Sequence, residues 1–150
     1  MIKGLFETHV LVTDLEASRL FYERIGLSFA HRVPERRVDF FWIDKPGQAM
    51  LGVWEVPQDK WVSRHFAFEV ERKDMKKAVA FLKEKGLCLR SFSNDGTEDL
   101  EVAAWMPAVS IFFRDLDGNS LEFISMLPDE PKPELGVVKY WEWEAMHNRT

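Results

Sequence analysis

One feature constrains this chain more than any other: it repeats itself. Residues 9–27 read HVLVTDLEASRLFYERIGL, and residues 65–87 read HFAFEVERKDMKKAVAFLKEKGL. Identity between the two is low, and the second carries a few extra residues before its helix. The sequence of events is nevertheless the same: an apolar strand opening on a histidine, an acidic cap, an amphipathic helix and a glycine stop. A chain of 150 residues with two such copies is expected to build two like modules of one supersecondary type.

Each copy extends into further strands. In the first, Leu5 to Thr13 is a predicted strand, and Asp14 is a predicted cap for a helix with Ala17, Leu20, Phe21 and Ile25 at helical spacing. Strands are predicted over 27–31, 38–43 and 49–56, with Pro34, Pro46-Gly47 and Pro57 between them. The second copy follows the same order: a strand over 64–70, Asp74 capping a helix with the stripe Met75, Ala78, Val79 and Leu82, then strands over 87–92, 109–113 and 120–126. The fold class expected is α+β, two βαβββ modules forming a cleft or half-barrel. The modules span about 4–57 and 63–126, within one domain over 1–126. The polar stretch 93–106 is expected as a long loop, a lid or pocket wall. The tail 127–150 begins PDEPKP and continues as GVVKYWEWEAM, a short helix or extended arm. Its Tyr140, Trp141 and Trp143 are expected to pack on the body or on a partner chain.

Composition narrows the function. The formal net charge is −5, with no basic stripe, which argues against a nucleic-acid surface. Cys88 is the only cysteine, so no internal disulfide forms; flanked by Leu87 and Leu89, it is expected as a small buried hydrophobe. The start, MIKGLFETHV, lacks the apolar stretch of a secretory signal, and no run approaches the roughly 20 apolar residues of a membrane span. A soluble cytoplasmic protein is the expectation. Aromatic residues make up 13% of the chain, enough for a large core and, in part, for an aromatic ligand pocket.

Strand alternation then sorts the polar residues. On the first strand Phe6, Thr8, Val10 and Val12 share one face, and Glu7, His9 and Leu11 the other. On the strand opening the second copy, Phe66, Phe68 and Val70 face the helix, leaving His65 opposite. On the last strand Glu122 shares a face with Ser120 and Ile124. Burying the charge of a carboxylate in an apolar run such as LEFISM costs several kcal/mol unless it is compensated, and a divalent cation would compensate it. Two neutral imidazoles and a carboxylate suit Zn²⁺, Mn²⁺, Fe²⁺, Ni²⁺ or Co²⁺ and leave positions open for substrate. His9, His65 and Glu122 are therefore the candidate metal ligands, and Glu7, two residues from His9 on the same face, is the candidate general acid or base.

The run DLDGNSLEF, Asp115 to Phe123, together with the strand starts HVLVTDL and HFAFEV, resembles the vicinal oxygen chelate superfamily, which includes glyoxalase I, fosfomycin-resistance proteins, bleomycin-resistance proteins and extradiol dioxygenases. The resemblance covers about residues 4 to 126. It implies that His9, His65 and Glu122 hold a divalent metal that binds vicinal oxygens of a small substrate. It also implies a homodimer, with ligands drawn from one chain or two. Leu116 stands where the family signature has proline, and Asn119 where it often has histidine. On the fourth strand, Leu51 or Gly52 falls where glyoxalase I offers a second carboxylate, unless the register slips and Glu55 serves. Three protein ligands are closer to fosfomycin-resistance enzymes and extradiol dioxygenases. The chemistry implied is that of a lyase, a thiol transferase or an epoxide-opening enzyme, with dioxygenase a poorer match. The alternative is a ligand-sequestering protein of the bleomycin-resistance type.

Overall fold

The structure is a computed structural model that describes residues 1–149. It divides into two compact units, Met1–Phe66 with Asp115–Ser120, and Ala67–Arg114 with Leu121–Thr150. The fold is mixed α+β, with one four-stranded and one five-stranded sheet.

In the first unit the strands are β1 (Glu7–Val12), β2 (Ser28–Val33), β3 (Val38–Ile43) and β4 (Ala49–Glu55), and the helix is α1 (Leu15–Arg24). The sheet order is β1-β4-β3-β2. β1 runs parallel to β4, with His9 opposite Gly52, and β3 runs antiparallel to β4, with Phe40 opposite the same glycine. Asp14 caps α1 as expected, its carboxylate accepting from Ala17 N at 2.9 Å. Phe21 and Ile25 of the predicted stripe are buried, together with Leu15, Ser18 and Tyr22, whereas Leu20 is 70% exposed. The Tyr22 hydroxyl donates to a buried acceptor, Asp115, at 2.8 Å. Burial, then the nearby Asp115 carboxylate, pushes the Tyr22 phenol well up. Its ring packs on Phe21 and Phe41 at centroid distances of 5.2 and 5.9 Å. In β3, the fully buried Asp39 is matched by Arg32 of β2 through two bonds of 2.6 and 2.7 Å.

The second unit holds most of β5 (His65–Glu69), α2 (Met75–Glu84), β6 (Glu101–Ala103), β7 (Ala108–Arg114), most of β8 (Ser120–Met126), β9 (Val137–Lys139) and α3 (Tyr140–Met146). Its sheet order is β5-β8-β7-β6-β9. The first four positions repeat the order of the other sheet, so the duplication read in the sequence is present in the topology. Several expectations fail in this unit. Residues 87–92 do not form a strand; they touch the sheet through a single bridge, Arg90 to Phe112. Their place in the repeat is taken by β6, from within the segment expected as loop, and β9 from the tail adds to its outer edge. Cys88, expected buried within the 87–92 strand, is exposed. Asp74 precedes α2 but makes no capping bond, pairing instead with Lys77 at 3.3 Å.

The core of this unit gathers Met75 of α2, Val102 of β6 with the adjoining Ala104, Val109 of β7, and Leu127, Tyr140 and Trp143 from the tail. Trp143 is fully buried, and its indole N–H donates to Asp129 at 2.7 Å. Arg149 donates to both oxygens of the same carboxylate, at 2.7 and 2.5 Å. At the sheet edge Lys139 of β9 meets Glu101 at 2.8 Å and Asp95 at 2.6 Å, joining the acidic loop to the strand pair.

Candidate functional site

In the first unit the site is built around His9. The parallel register of β1 and β4 puts its imidazole over Gly52. A Cβ at residue 52 would lie 2.9 Å from His9 Nδ1, 3.0 Å from Cε1 and 3.3 Å from the Phe40 ring, so the ring occupies space that any other residue would fill. Phe40 meets His9 edge-on at a centroid distance of 6.2 Å, and Trp54 of β4 lies at 5.7 Å. The Trp54 indole N–H donates to His9 Nδ1, and the Glu7 carboxylate bonds Nε2. An indole is a donor only, so Nδ1 is the acceptor and Nε2 carries the ring proton, which it gives to Glu7. Glu7, His9 and Trp54 thus form one hydrogen-bonded chain.

His65 opens β5, exposed, on the face opposite Phe66 and Phe68. Its Nδ1 lies 3.0 Å from the Ser120 carbonyl. A carbonyl only accepts, so Nδ1 bears the proton and Nε2 the lone pair of the neutral ring. This is the tautomer found in metal-ligating histidines whose other nitrogen is held by backbone.

The DLDGN run explains itself structurally. Asp115 Oδ1 accepts from the backbone N–H of Asp117, Gly118 and Asn119 at 3.1, 2.9 and 2.8 Å. Its Oδ2 accepts from Asn119 Nδ2 and the Tyr22 hydroxyl at 2.7 and 2.8 Å. Asp117 takes the backbone and hydroxyl of Thr13 at 3.0 and 2.5 Å. Asn119, fully buried, donates to Leu11 O at 2.8 Å and accepts from Arg64 N at 2.9 Å. These side chains tie the turn to the end of β1 and to the residue before His65, and so position both histidine strands. The histidine often found at residue 119 in the family is not needed for that task; a short amide performs it.

In the second unit Glu122 is buried in β8, 6% exposed, between Leu121 and Phe123. Phe123 packs edge-on against Phe68 and Phe113 at 6.2 and 5.1 Å. Glu55, the register-slip alternative, is committed elsewhere: it accepts from Leu15 N at 2.8 Å at the start of α1 and pairs with Arg37. Burial works to raise its pKa, but Arg37 and the Leu15 N–H outweigh this and hold the carboxyl below its ordinary value. The register opposite His9 belongs to Gly52, so β4 supplies no carboxylate at that position.

As donors, these residues suit a divalent ion in kind. His65 has the right tautomer, and Glu122 is a carboxylate on an apolar strand. His9 offers Nε2 only when Glu7 releases it. Among the described residues, no group of three or more His, Cys, Asp or Glu side chains forms a ready-made metal site. The Gly52 cradle and the Trp54 bond were not foreseen from sequence; both depend on the β1–β4 register.

The profile of the Glyoxalase/Bleomycin resistance protein/Dioxygenase superfamily matches residues 4–123. The chain belongs to that superfamily. Among solved structures, it resembles an integron cassette protein from the mobile metagenome of the Halifax Harbour sewage outfall, at 33% identity and a TM-score of 0.71, covering 83% of this chain and 100% of the other. Likeness of fold extends to the fosfomycin resistance protein FosX from Listeria monocytogenes, at 20% identity, TM-score 0.63 and coverage of 85% and 97%. It extends also to lactoylglutathione lyase from Agrobacterium tumefaciens, at 19% identity, TM-score 0.63 and coverage of 83% and 94%. No helix of the described residues is long and apolar enough to cross a membrane.

Proposed function

We propose that this superfamily member is a divalent-metal-dependent enzyme acting on a small oxygenated substrate, as a lyase, thiol transferase or epoxide-opening enzyme. His9, His65 and Glu122 are the ligands of its Mn, Ni, Zn, Fe or Co ion, and the protein works as a cytoplasmic homodimer. The metal supplies a Lewis acid for vicinal substrate oxygens. The protein's own part is proton management and positioning. For Nε2 of His9 to coordinate as a neutral imidazole the ring proton must move to Nδ1, so the Trp54 bond to Nδ1 would be given up, and Glu7, already bonded at Nε2, is the carboxylate placed to relay that proton. Glu7 then stands beside the site as general acid or base. Without a ligand, Trp54 on the other ring nitrogen fixes the plane of the imidazole. The observation that carries this reading is the 3.0 Å approach of His65 Nδ1 to the Ser120 carbonyl, which places the ring proton of a neutral imidazole on Nδ1.

A second reading, a protein that sequesters its ligand without metal, is favoured by the closed Glu7–His9–Trp54 chain, which engages both nitrogens of His9 within the protein. Metal analysis of purified protein, before and after chelation and reloading, separates the two. About one equivalent per chain, with a melting temperature that rises on loading, supports the enzyme. Glu122→Ala is then expected to abolish stoichiometric binding while the chain stays folded. Protein that stays metal-free and ignores added metal would overturn the assignment in favour of sequestration.

A further inference from the structure

The second unit contains a cavity of about 510 Å³ between α2, residues 98–100 and α3, within the size range of small-molecule sites. Its apolar wall includes Val79, Leu100, Tyr140 and Trp141. The tail carries three rings in close succession and treats them differently. Tyr140 and Trp143 are buried in the core, whereas Trp141 is 67% exposed along the cavity. An indole left in water beside an apolar hollow is a stacking surface awaiting a flat partner.

The charges around the cavity decide what that partner carries. Glu98 is paired with Lys83 at 2.6 Å, Glu144 with Arg149 at 2.9 Å, and Asp99 with Lys139 at 3.4 Å. Arg149 is further committed to Asp129. Among the described residues, Lys76 is the one charged group of the wall that has no carboxylate partner; its ammonium lies 5.9 Å from the Tyr140 ring centroid. We infer that this cavity is a binding site for a flat aromatic monoanion, its ring on Trp141 and its carboxylate on Lys76. A cationic ligand is disfavoured because the acidic groups already have their counter-ions. The site uses none of the proposed metal ligands and stands apart from the reading above.

The test is a calorimetric titration of the full chain with 2-naphthoate, 2-naphthamide and protonated 2-naphthylmethylamine. EDTA is present throughout, so that carboxylate coordination to a metal contributes nothing. Saturable naphthoate binding is expected, tighter than that of the neutral or cationic probe. Lys76→Met is expected to weaken naphthoate by about fivefold and leave naphthamide unchanged, the size of one exposed charge contact. Trp141→Ser is expected to weaken both probes. Both residues are exposed, so each variant should keep the parent's melting temperature. Three results overturn the site: no saturation at millimolar naphthoate, equal affinity in both variants and parent, or tighter binding of the amine.

Discussion

His9 occupies its place because residue 52 has no side chain. The nearest atoms to a hypothetical Cβ there belong to the imidazole, the movable end of a side chain, at 2.9 and 3.0 Å. Gly52→Ala should therefore fold, at a cost of about 1 kcal/mol, by turning His9 out of its cradle. The bond from Trp54 would be lost, and the indole N–H resonance of Trp54 in a ¹⁵N spectrum is expected to shift while most other resonances hold. An unmoved Trp54 signal would show that the ring does not depend on the cradle. At this scale the sequence was informative about faces and silent about partners. Alternation alone put His9 and His65 on the faces opposite Val10 and Phe68, and there both are exposed. Gly52 and Trp54 reach His9 only through a parallel pairing across more than 40 residues, and no local pattern encodes that register.

Elements were legible where a local pattern decides them. Residues 38–43 and 120–126 form strands with the boundaries expected, since apolar runs bounded by turn residues define both. β6 was hidden because its Glu101 makes the segment look like solvated loop. That carboxylate is 2% exposed, compensated by Lys139 from the far end of the chain. The tail gives a pH prediction. The Arg149 guanidinium, against the opposing effect of burial and helped by the Trp143 N–H, holds the Asp129 carboxyl well below its ordinary range. A depressed folded pKa contributes stability that is full above the unfolded value, near pH 4, and is lost as pH falls through the folded value. Arg149→Met should lower stability at pH 7 by about 2 kcal/mol and flatten the fall in melting temperature below about pH 5. Parallel acid profiles for variant and parent would show that Asp129 draws no stability from Arg149.

At the scale of the molecule, the two copies are not separable lengths of chain. Residues 115–120 belong to the first unit although they join β7 to β8 of the second. A fragment of residues 1–66 would lack Asp115, Asp117 and Asn119, leaving the Tyr22 hydroxyl and Thr13 without these acceptors and the Leu11 carbonyl with the Trp61 indole as donor but not Asn119. Such a fragment is expected to show strand-rich far-ultraviolet dichroism at most, with little dispersion of its amide proton resonances. A well-dispersed spectrum would mean that the turn is dispensable. The repeat made the modular plan readable, but this exchange was not, because DLDGN lies between strands of the second copy and bonds to the first.

Cys88, exposed after the end of α2, has a practical consequence for anyone handling the protein. Each molecule carries one accessible thiol, so a maleimide dye or spin label attaches at a single defined point. The same thiol lets two molecules join through a disulfide during storage in air. A doubled mass on a non-reducing gel reports that oxidation, and the test for a native homodimer is whether the doubled species persists in fresh reductant.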